Sequence, residues 1–185
     1  TGLAAGAIGN QDGTVPTLLN LPGATGFTPG QPFPLPYREG STATANTMAD
    51  VAMYYWIHDL RPLLPNKVKD SPAPWQHVDF TGVSFGAEGT LDFLAGPPPG
   101  LNGTTTWPTP VNNTASAIDD LWHAAVNSRS DYINAQDMQT LANGMIAFVK
   151  KTSDQGGTGT AVGIAGAQFS ATNKYGYRTS YDSGW

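Results

Sequence analysis

The sequence predicts an α/β fold, a partial layer of helices and strand with long Pro- and Gly-rich insertions and a β-rich C-terminal tail. Three observations carry this. Apolar residues recur at helical spacing in three segments, near 47–60, 115–128 and 134–151. The stretch HVDFTGVSFG at 77–86 reads as a strand whose two faces are both apolar enough to be covered. The chain also holds 22 Gly and 15 Pro in 185 residues, so helices are a minority and irregular connections are long. Helices around a doubly covered strand make an α/β layer.

Residues 1–46 read as loop. Gly, Pro, Thr and Asn dominate, and four prolines between Pro29 and Pro36 exclude a helix there. So long an irregular stretch is expected to be an insertion or an arm draped over the surface. The first helix follows, with Thr47 or Asn46 as N-cap and Asp50 placed to complete a capping box. Its apolar stripe is Met48, Val51, Ala52, Tyr55 and Trp56, widened by Tyr54 and Ile57, and Pro62 predicts an end near Leu60. Three adjacent aromatics, each burying ~150–250 Å², could supply on the order of 10 kcal/mol of gross transfer energy, so this helix must pack on something.

In strand 77–86, Val83 and Phe85 share a face with Asp79, while Val78, Phe80, Gly82 and Ser84 share the other. A second loop spans 95–113 and contains N-x-T triplets at Asn102 and Asn112, which would be glycan acceptors only in a eukaryotic secreted protein. The second helix takes Ser116 as cap, Asp119 and Asp120 in its first turn, and Ile118, Leu121, Trp122, Ala125 and Val126 as its apolar face. The third takes Asn134 as cap and Asp137 three residues on. Its stripe is Met138, Leu141, Ala142, Met145, Ile146 and Val149, and Lys150 and Lys151 sit at its C-terminal dipole end. In the tail, 160–171 suits a strand, and Tyr175, Tyr177, Thr179 and Tyr181 alternate at strand period.

Charged residues make up 12% of the chain, the net charge is −5 and the isoelectric point is about 4.9. That balance argues against nucleic acid or an anionic membrane as partner. The absence of cysteine excludes disulfides, thiolate metal sites and a Cys nucleophile. No apolar run is long enough to span a bilayer, and the first residue, Thr1, predicts a processed or excised piece.

Candidate chemistry is sparse. Asp119, Asp120 and His123 lie three and four residues apart, so a carboxylate and the imidazole could share a helix face as a weak two-ligand patch. The plainer reading gives both acids to the helix N-terminus. His58 suits a helix C-terminus, with Asp59 near Arg61, and Asp12 suits an Asx-type turn. No GxSxG, HExxH, P-loop or dinucleotide-binding turn occurs. No residue is therefore assigned as catalytic, cofactor-binding or metal-ligating.

Three blocks, NTMADVAMYYWIHDLRPLLPNKV, WQHVDFTGVSFGAEGTL and AIDDLWHAAVNSRSDYINAQDMQTLANGM, together resemble the PilC/PilY family over residues 45–150. The resemblance implies the later half of a von Willebrand factor A-like domain at 47–152. It makes 1–46 an insertion arm and 153–185 a β-rich lead towards a C-terminal β-propeller. It places helix one on a parallel sheet with Tyr55 and Trp56 turned towards it. It implies a non-enzymatic, exported protein of the type IV pilus tip, acting in adhesion, pilus assembly and twitching motility. The implied partners are the rest of its own polypeptide, minor pilins and a surface receptor. Family A-like domains often hold a metal on a DxSxS motif, which does not occur here, so no ligand is carried over. Any Ca²⁺ or Mg²⁺ is placed in other parts of the full-length protein. Two other classes stand beside this reading. One is a secreted hydrolase or carbohydrate-binding protein with Asp119, Asp120 and His123 in a groove beside exposed Trp. The other is a structural filament subunit.

Overall fold

The computed structural model describes residues 8–13, 31–40, 44–69, 71, 73–98, 100, 101 and 105–155. Helix α1 spans Met48–Ile57. Thr47 caps it as expected: its hydroxyl accepts the Asp50 N–H, and Asp50 accepts the Thr47 N–H in return. The next two free N–H groups, of Met48 and Ala49, donate across to the carboxylate of Asp120 at 2.8 and 3.1 Å. The helix stops three residues before Leu60. His58 turns extended, and the Leu60 N–H leaves the helix to donate to Gln76 O.

The buried face of α1 differs from the expected stripe. Ala49, Asp50, Ala52, Met53, Trp56 and Ile57 are inside, whereas Met48 and Val51 are exposed and Tyr54 and Tyr55 are half-buried. The reason is the partner. α1 packs along helix α2, Ser116–Asn127, and not chiefly on the sheet. A helix neighbour accepts the small Ala49 and Ala52. Beyond them, Met53, Trp56 and Ile57 form a core with Phe33, Ala73 and Trp75. Two expected loop residues, Asp12 and Phe33, are fully buried, so the described parts of 1–46 reach the interior.

Strand β1, Gly82–Phe85, and strand β2, Tyr132–Ala135, form a two-stranded parallel sheet, with Gly82 opposite Tyr132 and Phe85 opposite Ala135. Parallel pairing requires a crossover, which α2 supplies. β1 is shorter than the expected 77–86 because its first half bonds elsewhere: the Val78 N–H donates to Tyr55 O, and the Phe80 N–H to Ser128 Oγ. α2 covers the Gly82 face. Helix α3, Met138–Gln155, covers the opposite face over β2, bringing Gly144 against Ile133. That second face is only partly covered, since Val83 and Phe85 on β1 remain exposed, Phe85 at 53%. A strand buried on both sides was expected; the described residues bury one side fully.

Caps of the later helices also differ. Ser116 Oγ accepts the Val111 N–H and does not cap α2. Asn134 lies in β2, and Asp137 caps α3 by accepting the Thr140 N–H. Lys151 reaches back to Asp131 at 2.6 Å. The tail strands expected at 160–171 and 175–181 lie outside the described residues.

Gly82 marks the closest approach of helix to sheet. A Cβ there would lie 3.0 Å from both the Leu121 carbonyl oxygen and the Tyr132 ring. Because a backbone oxygen cannot rotate away, Gly82→Ala is expected to destabilise the fold by about 1–3 kcal/mol. Urea denaturation would show this as a lower midpoint with an unchanged slope.

Candidate functional site

Helix α2 is apolar by composition, yet its buried side carries Asp119, His123 and Asn127 at spacings of four. Residues four apart share one face, so this is a polar stripe turned inward. Each member holds a different neighbour. Asp119 accepts N–H donors from Thr90 and Leu91, fixing the loop after β1. Asn127 donates to Asp12 Oδ2 at 2.9 Å and to Ala49 O. His123 Nε2 lies 3.0 Å from Tyr37 O and 3.5 Å from Asp12 Oδ2.

Asp12, Glu39 and His123 thereby come together in the interior, each offering one donor atom within 4.8 Å of the others. The segment 8–13 is held in place by mutual bonds between Gly9 and Asn46, and by the Gln11 N–H donating to Asp50. Glu39 follows Tyr37 on the segment whose Pro36 O accepts the Trp107 indole N–H. Trp107 in turn stacks on the His123 ring at 4.5 Å and 15°, fixing the imidazole plane. Burial drives the electrostatics. It pushes Asp12 up to about 9, helped by the nearby Glu39 and Asp50 charges. It also raises Glu39 and pulls His123 down to about 3. Among the described residues, Asp12 Oδ1 and both Glu39 oxygens have no partner within hydrogen-bond distance. Among the described residues neither acid pairs with a lysine or arginine. The buried Arg129 is engaged elsewhere, over the rings of Trp56 and Tyr37 at 3.6 and 3.9 Å.

The candidates grouped in sequence are dispersed. Asp119 faces the loop after β1, Asp120 caps α1, and only His123 enters the cluster. Asp12, expected in an Asx-type turn, lies in the bend at 11–13 and is a fully buried member of the cluster. His58 keeps the helix-end role expected of it, with Nδ1 2.7 Å from Tyr54 O, while Asp59 accepts the Arg61 backbone N–H. Among the described residues no groove beside exposed Trp is formed: Trp56, Trp75, Trp107 and Trp122 are all buried.

No family model and no solved structure matches the chain. Curated relatives do. The type IV pilus biogenesis factor PilY1 of Pseudomonas aeruginosa PAO1 is 30% identical over 161 residues, 72% of this chain. The same factor from strain UCBPP-PA14 is 27% identical over an alignment of 202 residues, 89% of this chain. The PilY1 of strain PAK is 28% identical over 162 residues. Over the matched region the chain is similar to the PilY1 family. The chain spans only 13–17% of the length of these relatives.

In this PilY1-like region, Glu39 is the site residue that the sequence did not reveal. It stands in no motif and is brought in by an irregular segment. The α2 stripe was the available signal, because Asp119, His123 and Asn127 at i, i+4 and i+8 on a helix whose other residues include Ala, Ile, Leu, Trp and Val imply an inward polar row.

Proposed function

We propose that this chain is the later part of a von Willebrand factor A-like domain in an exported, non-enzymatic protein that serves type IV pilus assembly and adhesion from the pilus tip. The match to PilY1 proteins over most of the chain carries this reading. The parallel βαβ unit followed by α3 suits an A-like layer. So do the surfaces left apolar, Val83 and Phe85 on the sheet and Met145, Ile146 and Val149 on α3, with Ile146 67% exposed. In this reading further strands of the same protein cover them, residues 1–46 are an insertion arm, and 153–185 lead towards a propeller. The partners are the rest of the polypeptide and minor pilins. No helix among the described residues is long and apolar enough to cross a membrane.

The test is a Val83→Asp, Phe85→Asp double substitution in the full-length protein in its own host. Sheared surface pilin is expected to fall several-fold, and adherence with it, while the protein remains detectable by immunoblot. Normal piliation and adherence would refute the reading. Normal piliation with lost adherence would remove the assembly role.

A further inference from the structure

We propose that Asp12, Glu39 and His123 bind one divalent transition-metal ion, of the Zn²⁺ or Mn²⁺ class, which fastens the N-terminal segments to α2. The three donors come from three separate segments and converge within 4.8 Å of one another. Glu39 is only 4% exposed, and among the described residues both its oxygens lack a hydrogen-bond partner, as does Asp12 Oδ1. Two buried carboxylates without a cation are an expensive arrangement. A metal ion supplies the missing cation and takes one oxygen from each acid.

The spacing of Asp12, His123 and Tyr37 suits coordination. Bonds of about 2.1 Å at tetrahedral angles place neighbouring ligands about 3.4 Å apart. Asp12 Oδ2 and His123 Nε2 are 3.5 Å apart, and Tyr37 O is 3.0 Å from the same nitrogen, so this carbonyl is a ready fourth donor. Without metal, the Nε2 proton is donated to Tyr37 O. With metal, the imidazole takes its other tautomer, its plane already set by Trp107. Asn127 Nδ2 orients Asp12 from outside the ligand set, as supporting groups do in metal sites. An imidazole among oxygens selects Zn²⁺ or Mn²⁺ over Ca²⁺, which takes oxygen ligands. The ion would act as a staple in a chain without cysteine, holding residues 8–13 and 31–40, which have no regular secondary structure of their own.

The competing arrangement is a proton shared between Asp12 and Glu39. Glu39→Gln separates the two in the full-length protein. It preserves shape, removes one ligand charge, and relieves the like-charge repulsion. By plasma mass spectrometry, wild type purified without chelator is expected to carry one more equivalent of Zn²⁺ or Mn²⁺ than Glu39→Gln, whatever ions bind elsewhere. After EDTA treatment, added Zn²⁺ or Mn²⁺ is expected to slow hydrogen exchange in peptides covering 8–13 and 31–40 about tenfold or more. The variant, and Asp12→Asn, should not respond. Equal metal content in wild type and Glu39→Gln, a response to Ca²⁺ alone, or a variant protected as well as metal-loaded wild type would each overturn the proposal.

Discussion

Trp56→Ala is expected to lower folding stability by about 3–5 kcal/mol, the range for truncating a buried aromatic. Trp56 is fully buried and meets Trp75 edge to face at 5.6 Å. Its backbone carbonyl also accepts the Trp75 indole N–H at 2.7 Å, a bond the substitution leaves in place. Above the ring, the Arg129 guanidinium sits at 3.6 Å, with Nε and Nη2 otherwise unpartnered among the described residues. Burial pulls this arginine down to about 10, against opposing help from Tyr37, which leaves it charged at neutral pH. Removing the ring thus opens a cavity and strips a buried cation of its best face. Trp56→Phe separates the two effects. It keeps a π face for Arg129 and deletes an indole N–H that has no partner, so its loss should be about 1–2 kcal/mol. Urea midpoints measure both. An alanine variant within 1 kcal/mol of wild type would show that this ring does not organise the core.

How far these features could be read from sequence depends on where each residue finds its partner. The Thr47–Asp50 capping box is local, three residues apart, and was legible. So were the three helices, whose periodicity extends over ten or more residues. The buried face of α1 was not, because helical spacing is shared by adjacent stripes and only the identity of the neighbour selects between them. Strand β2 was hidden for a different reason: four residues of YINA carry too little alternation to register, and its partner lies 50 residues away. The buried Asp12–Glu39–His123 cluster was least legible. Two of its members come from irregular backbone whose fold is fixed by long-range bonds, such as Gln11 to Asp50 and Asn127 to Asp12, 39 and 115 residues apart.

The adjacent acids Asp119 and Asp120 should respond very differently to the same substitution. Asp119→Asn is expected to lose about 2–4 kcal/mol, since a buried carboxylate accepting several donors is replaced by an amide that turns an NH₂ towards one of them. Thr90 and Leu91 supply those donors, at 2.9 and 3.1 Å from their backbone nitrogens. The bonds hold the loop after β1, and with it Phe93 edge-on to Trp122 and Tyr132. Gly89 approaches the same carboxylate so closely that a Cβ would lie 1.9 Å from Oδ1. Gly89→Ala therefore displaces the clamp from the other side, and the two substitutions together should lose less than their sum. Asp120→Asn keeps an oxygen for one of the two N–H groups at the start of α1, and about 1 kcal/mol is expected. Hydrogen exchange distinguishes the cases: Asp119→Asn should speed exchange at Thr90 and Leu91 while leaving Met48 and Ala49 protected, and Asp120→Asn should do the reverse. Equal effects at both ends would mean that the two acids act as one unit, and the assignment of Asp119 to the loop and Asp120 to α1 would fail.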